Sequence, residues 1–322
     1  MSVTALQVTS IIVNGLQQGA IFALLGIGLT IVLGTMKFLN LAHGALYLIG
    51  AYVGMFFAVN RRLSGGTLSD MGFQAIGLSA TPVTIGGVRF NANILLAMVA
   101  VVVVAFVVGA LMERFVARPF YDRPETAQLL VTFGLALVVE QLARAIIGPT
   151  TFQAYGPVLD SATVAGQFSL WRLIIIAIAV AVIAITYFII EYTDFGLVVQ
   201  AGTIDSEMVR LLGIPITRSY TLVFGLGAVL AAFAGLIGGT FQTVSPTIGT
   251  TQALIPAFLV IVVGGAGSVV GAIVGGMALG MVFAVMQQSF LTQWANIVLF
   301  GSVAVVLLVR PGGLFGSVEV AE

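Results

Sequence analysis

The sequence predicts an all-α, polytopic transmembrane fold of about eight spans, some of them broken or re-entrant, and three observations carry that prediction. Hydrophobic residues make up 60% of the 322 positions and charged residues only 7%, where a soluble domain carries about a quarter. Apolar runs long enough to cross about 30 Å of hydrocarbon as a helix recur along the chain, and mean hydropathy is +1.16. Glycine occurs 39 times, as expected of helices that pack without a water-driven force and need small residues where their backbones meet.

Candidate spans fall at 11–34, 41–59, 94–116, 126–147, 170–191, 219–241, 254–286 and 293–309, within one membrane domain covering 1–322. The opening "MSVTALQVTS" lacks a basic n-region, so the first apolar segment is expected to be a retained span. The run 254–286 exceeds one helix and contains "GGAGSVVGAIVGG" at 264–276, which predicts a half-helix, a glycine-rich break and a full helix. The first long run is likewise interrupted, by "TMKFLNLAHG" at 35–44. Two broken segments, one near each end, are what transporters built from pseudo-symmetric halves show.

Loops supply orientation. With 113–125 on the cytoplasmic side, alternation puts Lys37, Arg114, Arg118, Arg123, Arg210, Arg218 and Arg310 inside and Arg61, Arg62, Arg89, Arg144 and Arg172 outside, a slight bias in the expected direction. Trp171 and Trp294 would then be belt residues at the outer interface. The polar stretch 60–93 becomes an extracytoplasmic loop, and its "TPVTIGGVRFN" places two β-prone runs around Gly86-Gly87, the signature of a tight hairpin. Such a hairpin would serve as a docking surface or as a lid.

Residues 193–218 break the membrane pattern with Asp194, Asp205, Glu207, Arg210 and Arg218. Ile204, Met208, Leu211 and Leu212 recur at helical spacing and predict a short amphipathic helix, started by Thr203 and stopped by Gly213 and Pro215. Its polar face mixes acids with a single Arg210, whereas lipid-surface helices are rich in Lys and Arg, so docking into a protein groove is favoured. The only lysine, Lys37, stands outside any Walker A pattern, so nucleotide hydrolysis would belong to a separate chain. Zero cysteines exclude thiolate chemistry and disulfides, and zero net charge argues against nucleic acid.

These residues resemble a known family. "NLAHGALYLIGAY", "LLVTFGLALVVEQLAR", "QAGTIDSEMVRLLGI" followed by "GLGAVLAAFAGLIGG", "VVGGAGSVVGAIVGG" and the terminal "RPGGLFG" look, in that order, like the inner-membrane permease of high-affinity branched-chain amino acid ABC importers, of the H type. The resemblance covers about residues 10–316. It implies a bacterial inner-membrane machine of two permeases, in this family usually an H-type paired with an M-type, with two cytoplasmic ATPases that bind ATP and Mg and an extracytoplasmic solute-binding protein. It makes the 203–212 helix the coupling helix, with Thr203, Asp205, Glu207, Met208, Arg210, Leu211, Leu212 and Gly213 at the ATPase contact. Gln200, where the family commonly has Arg, and Val209, where it has a small residue, depart from the pattern. The family also includes permeases for urea, short amides and other small carboxylates.

Asn40 and His43, with Gly44 and Tyr47, are candidates to line a translocation path, or else to hydrogen-bond backbone groups freed where the helix breaks. Gly264, Gly265, Gly267 and Ser268 carry the same two readings at the late break, path or tight packing. Gly235/Gly239, Gly271/Gly275 and Gly276/Gly280 have the GxxxG spacing of helix contacts. Thr132 and Phe133, beside Gly134, are weaker path candidates. His43 is the only histidine, so no metal site and no catalytic constellation is expected. Glu140, paired at i+4 with Arg144, reads as structural, and is the residue on which an ion-coupled secondary transporter would be founded.

Overall fold

The computed structural model describes residues 5–157, 163–164, 168–214, 216–289 and 292–315. In chain order the helices are α1 (Ala5–Met36), α2 (His43–Ala58), α3 (Thr67–Asp70), α4 (Asn93–Met112), α5 (Glu125–Ile146) and α6 (Leu170–Tyr192). They continue with α7 (Asp194–Ile204), α8 (Ser206–Leu211), α9 (Ile216–Gly239), α10 (Ile255–Gly264), α11 (Val269–Gln288) and α12 (Ala295–Val309). Among the described residues six helices are long and apolar enough to cross a membrane, and the shorter apolar helices His43–Ala58, Gly249–Gly264 and Ala295–Val309 accompany them. The run 254–286 resolves into α10 and α11 around a turn, and the first long run breaks at residues 37–42. In the 60–93 loop, Pro82–Ile85 pairs antiparallel with Val88–Asn91 across Gly86-Gly87.

The chain forms two compact units. The first comprises Met1–Lys37, Val164–Ser219 and Pro256–Glu322. Its centre is the pairing of α1 with α11, made possible by glycine. A Cβ on Gly276 would lie 2.5 Å from the backbone nitrogen of Ala23, one on Gly19 would lie 2.9 Å from Met277 Cα, and one on Gly280 would collide with the backbone of Gly19. Gly276 and Gly280 thus form a groove four residues long that receives Gly19 and Ala23, and dispersion between touching backbones replaces the hydrophobic drive that lipid cannot supply. Gly264 and Gly271 meet in the same way across the turn joining α10 to α11. Within that turn Gly265 and Gly267 adopt φ of 95° and 85°, which side chains with a Cβ avoid. Ser268 Oγ then caps α11 by accepting from Gly271 N at 3.0 Å.

Trp171 was expected at the outer belt. It is buried in this unit instead, 6% exposed, with its indole N–H unpaired among the described residues. Trp294 is 46% exposed, as an interfacial residue can be.

The second unit comprises Phe38–Thr163 and Tyr220–Ile255. Helix α2 is its buried centre, packed by α4, α5, α9 and the π-helical turn Gly249–Leu254. Gly50 sits against the Ala232 backbone and Gly235 against the Tyr47 carbonyl, so here too α9 approaches at backbone distance. Tyr155 enters from the loop after α5, fully buried, and donates to the carbonyls of Leu236 at 2.9 Å and Ala51 at 3.2 Å.

Replacing Gly276 with Val should separate α1 from α11 and abolish the monodisperse peak of the detergent-solubilised protein in size-exclusion chromatography. Gly301→Ala, on α12 where an added Cβ meets nothing within 4 Å, should leave the peak intact.

Candidate functional site

Helix α1 ends at Met36, and Lys37 closes it in a left-handed conformation with φ of 49°. The next residues leave helical geometry at the depth of an apolar span, so each freed N–H needs a partner. Leu39 N donates to Gln128 Oε1 at 3.3 Å and Leu41 N to Thr132 Oγ1 at 3.1 Å, both acceptors lying on α5. Ala42 N donates to Asn40 Oδ1 at 3.0 Å, a local turn that leads into α2, and His43 N bonds the Asn40 carbonyl at 3.3 Å. The Gln128 amide also donates to the carbonyls of Phe120 and Arg123, both at 3.2 Å. Asn40, His43, Gln128 and Thr132 are all at most 3% exposed, so the interrupted helix carries its own set of buried acceptors.

Other predicted residues distribute unevenly. Gly44 packs face to face with Gly249, where a Cβ would come within 2.5 Å of the Gly249 carbonyl oxygen. Tyr47 is buried beside Gly238. Thr132 joins the break, while Phe133, one residue on and therefore turned away on the helix, is 43% exposed. Gly264, Gly265, Gly267 and Ser268 belong to the first unit, where they build the α10–α11 turn.

The segment 193–218 differs from its expected start. Thr203 lies in the last turn of α7, with its side chain outside the described residues, and the capping residue of the next helix is Asp205. Asp205 Oδ1 accepts from Glu207 N at 3.0 Å and Met208 N at 2.9 Å, a carboxylate placed at the residue that follows α7. Helix α8 therefore begins at Ser206, and Gly213, with φ of 79°, follows its end. Asp205 interrupts the single helix expected over 203–212: Ile204 ends α7, Met208 and Leu211 lie on α8 and Leu212 follows it, and the four are 85%, 53%, 76% and 71% exposed, an apolar patch that no described residue covers. Glu207 and Arg210 are exposed beside it, and Val209 is buried. Gln200 donates to the Ile190 carbonyl at 2.9 Å and so ties α7 back to α6.

Sequence reasoning missed one polar cluster in the second unit and the Thr250 member of another. Glu113 is fully buried and receives Arg118 in a two-pronged ion pair, Nε to Oε1 at 3.0 Å and Nη2 to Oε2 at 2.7 Å. Tyr121 Oη at 2.7 Å and Thr221 Oγ1 at 2.9 Å complete the carboxylate's shell. A spacing of five residues does not share an α-helical face, but Glu113–Ala117 is a π-helical turn whose i→i+5 bonding, Arg118 N to Glu113 O, brings the two together. The second cluster is Glu140, which accepts from Arg144 at 3.1 Å and from Thr250 at 3.3 Å. Among the described residues no group of three His, Asp or Glu side chains could hold a metal ion.

Spans interrupted by internally satisfied breaks, joined to a short helix with an uncovered apolar patch, define a polytopic helical transport permease. The family described as branched-chain amino acid transport system, permease component, matches residues 11–308, and the chain belongs to it. It is 30% identical over 317 residues, 96% of each chain, to the high-affinity branched-chain amino acid transport system permease protein LivH of Escherichia coli strain K12. LivH of Salmonella typhimurium is equally similar, and the corresponding protein BraD of Pseudomonas aeruginosa is 31% identical over 319 residues, 97% of this chain and 96% of its own. No solved structure matches the chain.

Thr132→Val keeps the shape of the side chain but leaves the Leu41 N–H without its acceptor. Unfolding in detergent should become easier by about 1–3 kcal/mol. Thr132→Ser should restore most of the loss, read as the melting midpoint of the purified chain.

Proposed function

We propose that this chain is one permease subunit of an ABC importer for branched-chain amino acids in a bacterial inner membrane. It pairs with a second, non-identical permease, receives substrate from an extracytoplasmic solute-binding protein, and is driven by two cytoplasmic ATPase subunits that bind ATP and Mg. The chain holds no cofactor of its own and performs no catalysis. The observation that carries the reading is the apolar patch of Ile204, Met208, Leu211 and Leu212, more than half exposed at each position on and beside a helix too short to span. Leaving such a patch in water is unfavourable, and its rim of Glu207 and Arg210 suits a protein groove better than an anionic lipid surface. The printed names of the relatives support the substrate class. The polar break at Asn40, His43 and Thr132 supplies the irregular segment from which a path can be built.

Purification of the tagged chain in mild detergent should recover a second permease and an ATPase, with hydrolysis stimulated by the loaded binding protein. A lone chain that moves solute in liposomes under an ion gradient would contradict this reading and shift attention to Glu140. In the purified complex, Gly213→Pro should lower stimulated ATPase activity at least tenfold, because proline cannot adopt the φ of 79° there and removes the N–H that bonds Arg210 O. Glu207→Arg should do so by reversing charge at the rim, with expression of the folded permease retained in both. Urea offered as substrate should not stimulate.

A further inference from the structure

Among the six described helices that can cross a membrane, α5 departs from the relation that the others keep between exposure and composition. Helices α4 and α6 are largely exposed and are the most apolar of the six, as spans that face lipid must be. Helices α1 and α9 are mostly buried and carry more polar residues. Helix α5 is the least buried of all and also the least apolar. It has the composition of a covered span and the exposure of a lipid-facing one.

Part of its polarity is used inside the chain. Gln128, Thr132, Ala136 and Glu140 form the buried face of α5, and the three polar members have hydrogen-bond partners there. The opposite face runs through Leu130, Gly134, Leu137 and Gln141 at i, i+4, i+7 and i+11, one stripe along the helix. Leu130, Leu137 and Gln141 on it are exposed. A Cβ on Gly134 would meet nothing within 4 Å, whereas Gly19, Gly276 and Gly280 each stand against a neighbouring backbone. Gly134 lies about 14 Å into the helix and Gln141 about 8 Å before its end, so both fall within the span. The Gln141 amide has no hydrogen-bond partner among the described residues, and hydrocarbon offers it none. A second helix would use both features, approaching closely at the glycine and exchanging hydrogen bonds with the amide, which also fixes its register. Acyl chains gain nothing from either.

We propose that the Leu130–Gly134–Leu137–Gln141 face of α5 is the surface on which a membrane span of the second permease subunit packs, with its backbone against Gly134 and a polar group hydrogen-bonded to Gln141. The inference rests on the transport function proposed above and adds to it which face of this chain meets the second permease.

The experiment is photo-cross-linking in native membranes from Leu137→Cys carrying a benzophenone maleimide, in a chain that has no other cysteine. The same probe at Val103→Cys, on the exposed face of α4, is the lipid-facing reference. The expected result, read by mass spectrometry, is an adduct with a second, non-identical permease chain from position 137 and with lipid alone from position 103. Gly134→Leu separates docking from folding. The added Cβ meets nothing in this chain and leucine favours helix over glycine, so the melting midpoint of the purified chain should hold. The tagged variant should nevertheless recover the second permease at least tenfold less than wild type, and Gln141→Leu should lower recovery in the same direction. Adducts with lipid alone from position 137, or undiminished recovery of the second permease by Gly134→Leu, overturn the interface and leave the transport reading standing. An adduct between two copies of this chain overturns the second subunit as the occupant of this face. A wild-type chain that recovers no second permease removes the reading on which the interface rests.

Discussion

Everything in this chain answers to one constraint: at membrane depth a backbone N–H without a partner costs several kcal/mol, and no water is at hand to supply one. A permease nevertheless needs interrupted helices. Residues 37–42 meet the requirement with Gln128 and Thr132, which reach across from α5 to take the N–H groups of Leu39 and Leu41, and with Asn40, which turns back on Ala42. The break is therefore a bonded element of defined shape, and the polar residues that look out of place in an apolar run are what permit it.

Glycine plays the corresponding part in packing. Where α1 meets α11, and where α9 meets α2, the side chain that would hold two helices apart is missing, so backbone touches backbone. Association then comes from many small dispersion contacts. Buried charge follows the same economy of partners. Glu113 has four hydrogen bonds from three side chains, so that its charge is not buried alone.

Much of this was legible in the residues. The two breaks, the Gly-Gly hairpin and the GxxxG contacts of Gly276 and Gly280 all follow from local spacing, whereas the helix expected to carry Ile204 with Met208 is interrupted at Asp205. What escaped depends on partners distant in sequence or on an altered period. Nothing near Leu41 announces that Thr132, ninety-one positions on, will accept its N–H. The Glu113–Arg118 pair is invisible to an α-helical period because it forms on a π-helical turn. Asp205 takes the cap expected of Thr203 because the preceding helix α7 continues through Ile204 and the chain re-enters helix only at Ser206. Trp171 is drawn inside by packing that composition does not encode.

The central claim is that the uncovered apolar patch at α8 meets a protein and not the lipid surface. The sequence has no cysteine, so Met208→Cys places a single thiol in a clean background. The decisive measurement is short-span cross-linking from that thiol in native membranes, run beside labelling by a maleimide dissolved in the lipid. The account predicts an adduct with an ATPase subunit and protection from the lipid-borne reagent. Efficient labelling from the lipid with no protein adduct would contradict it.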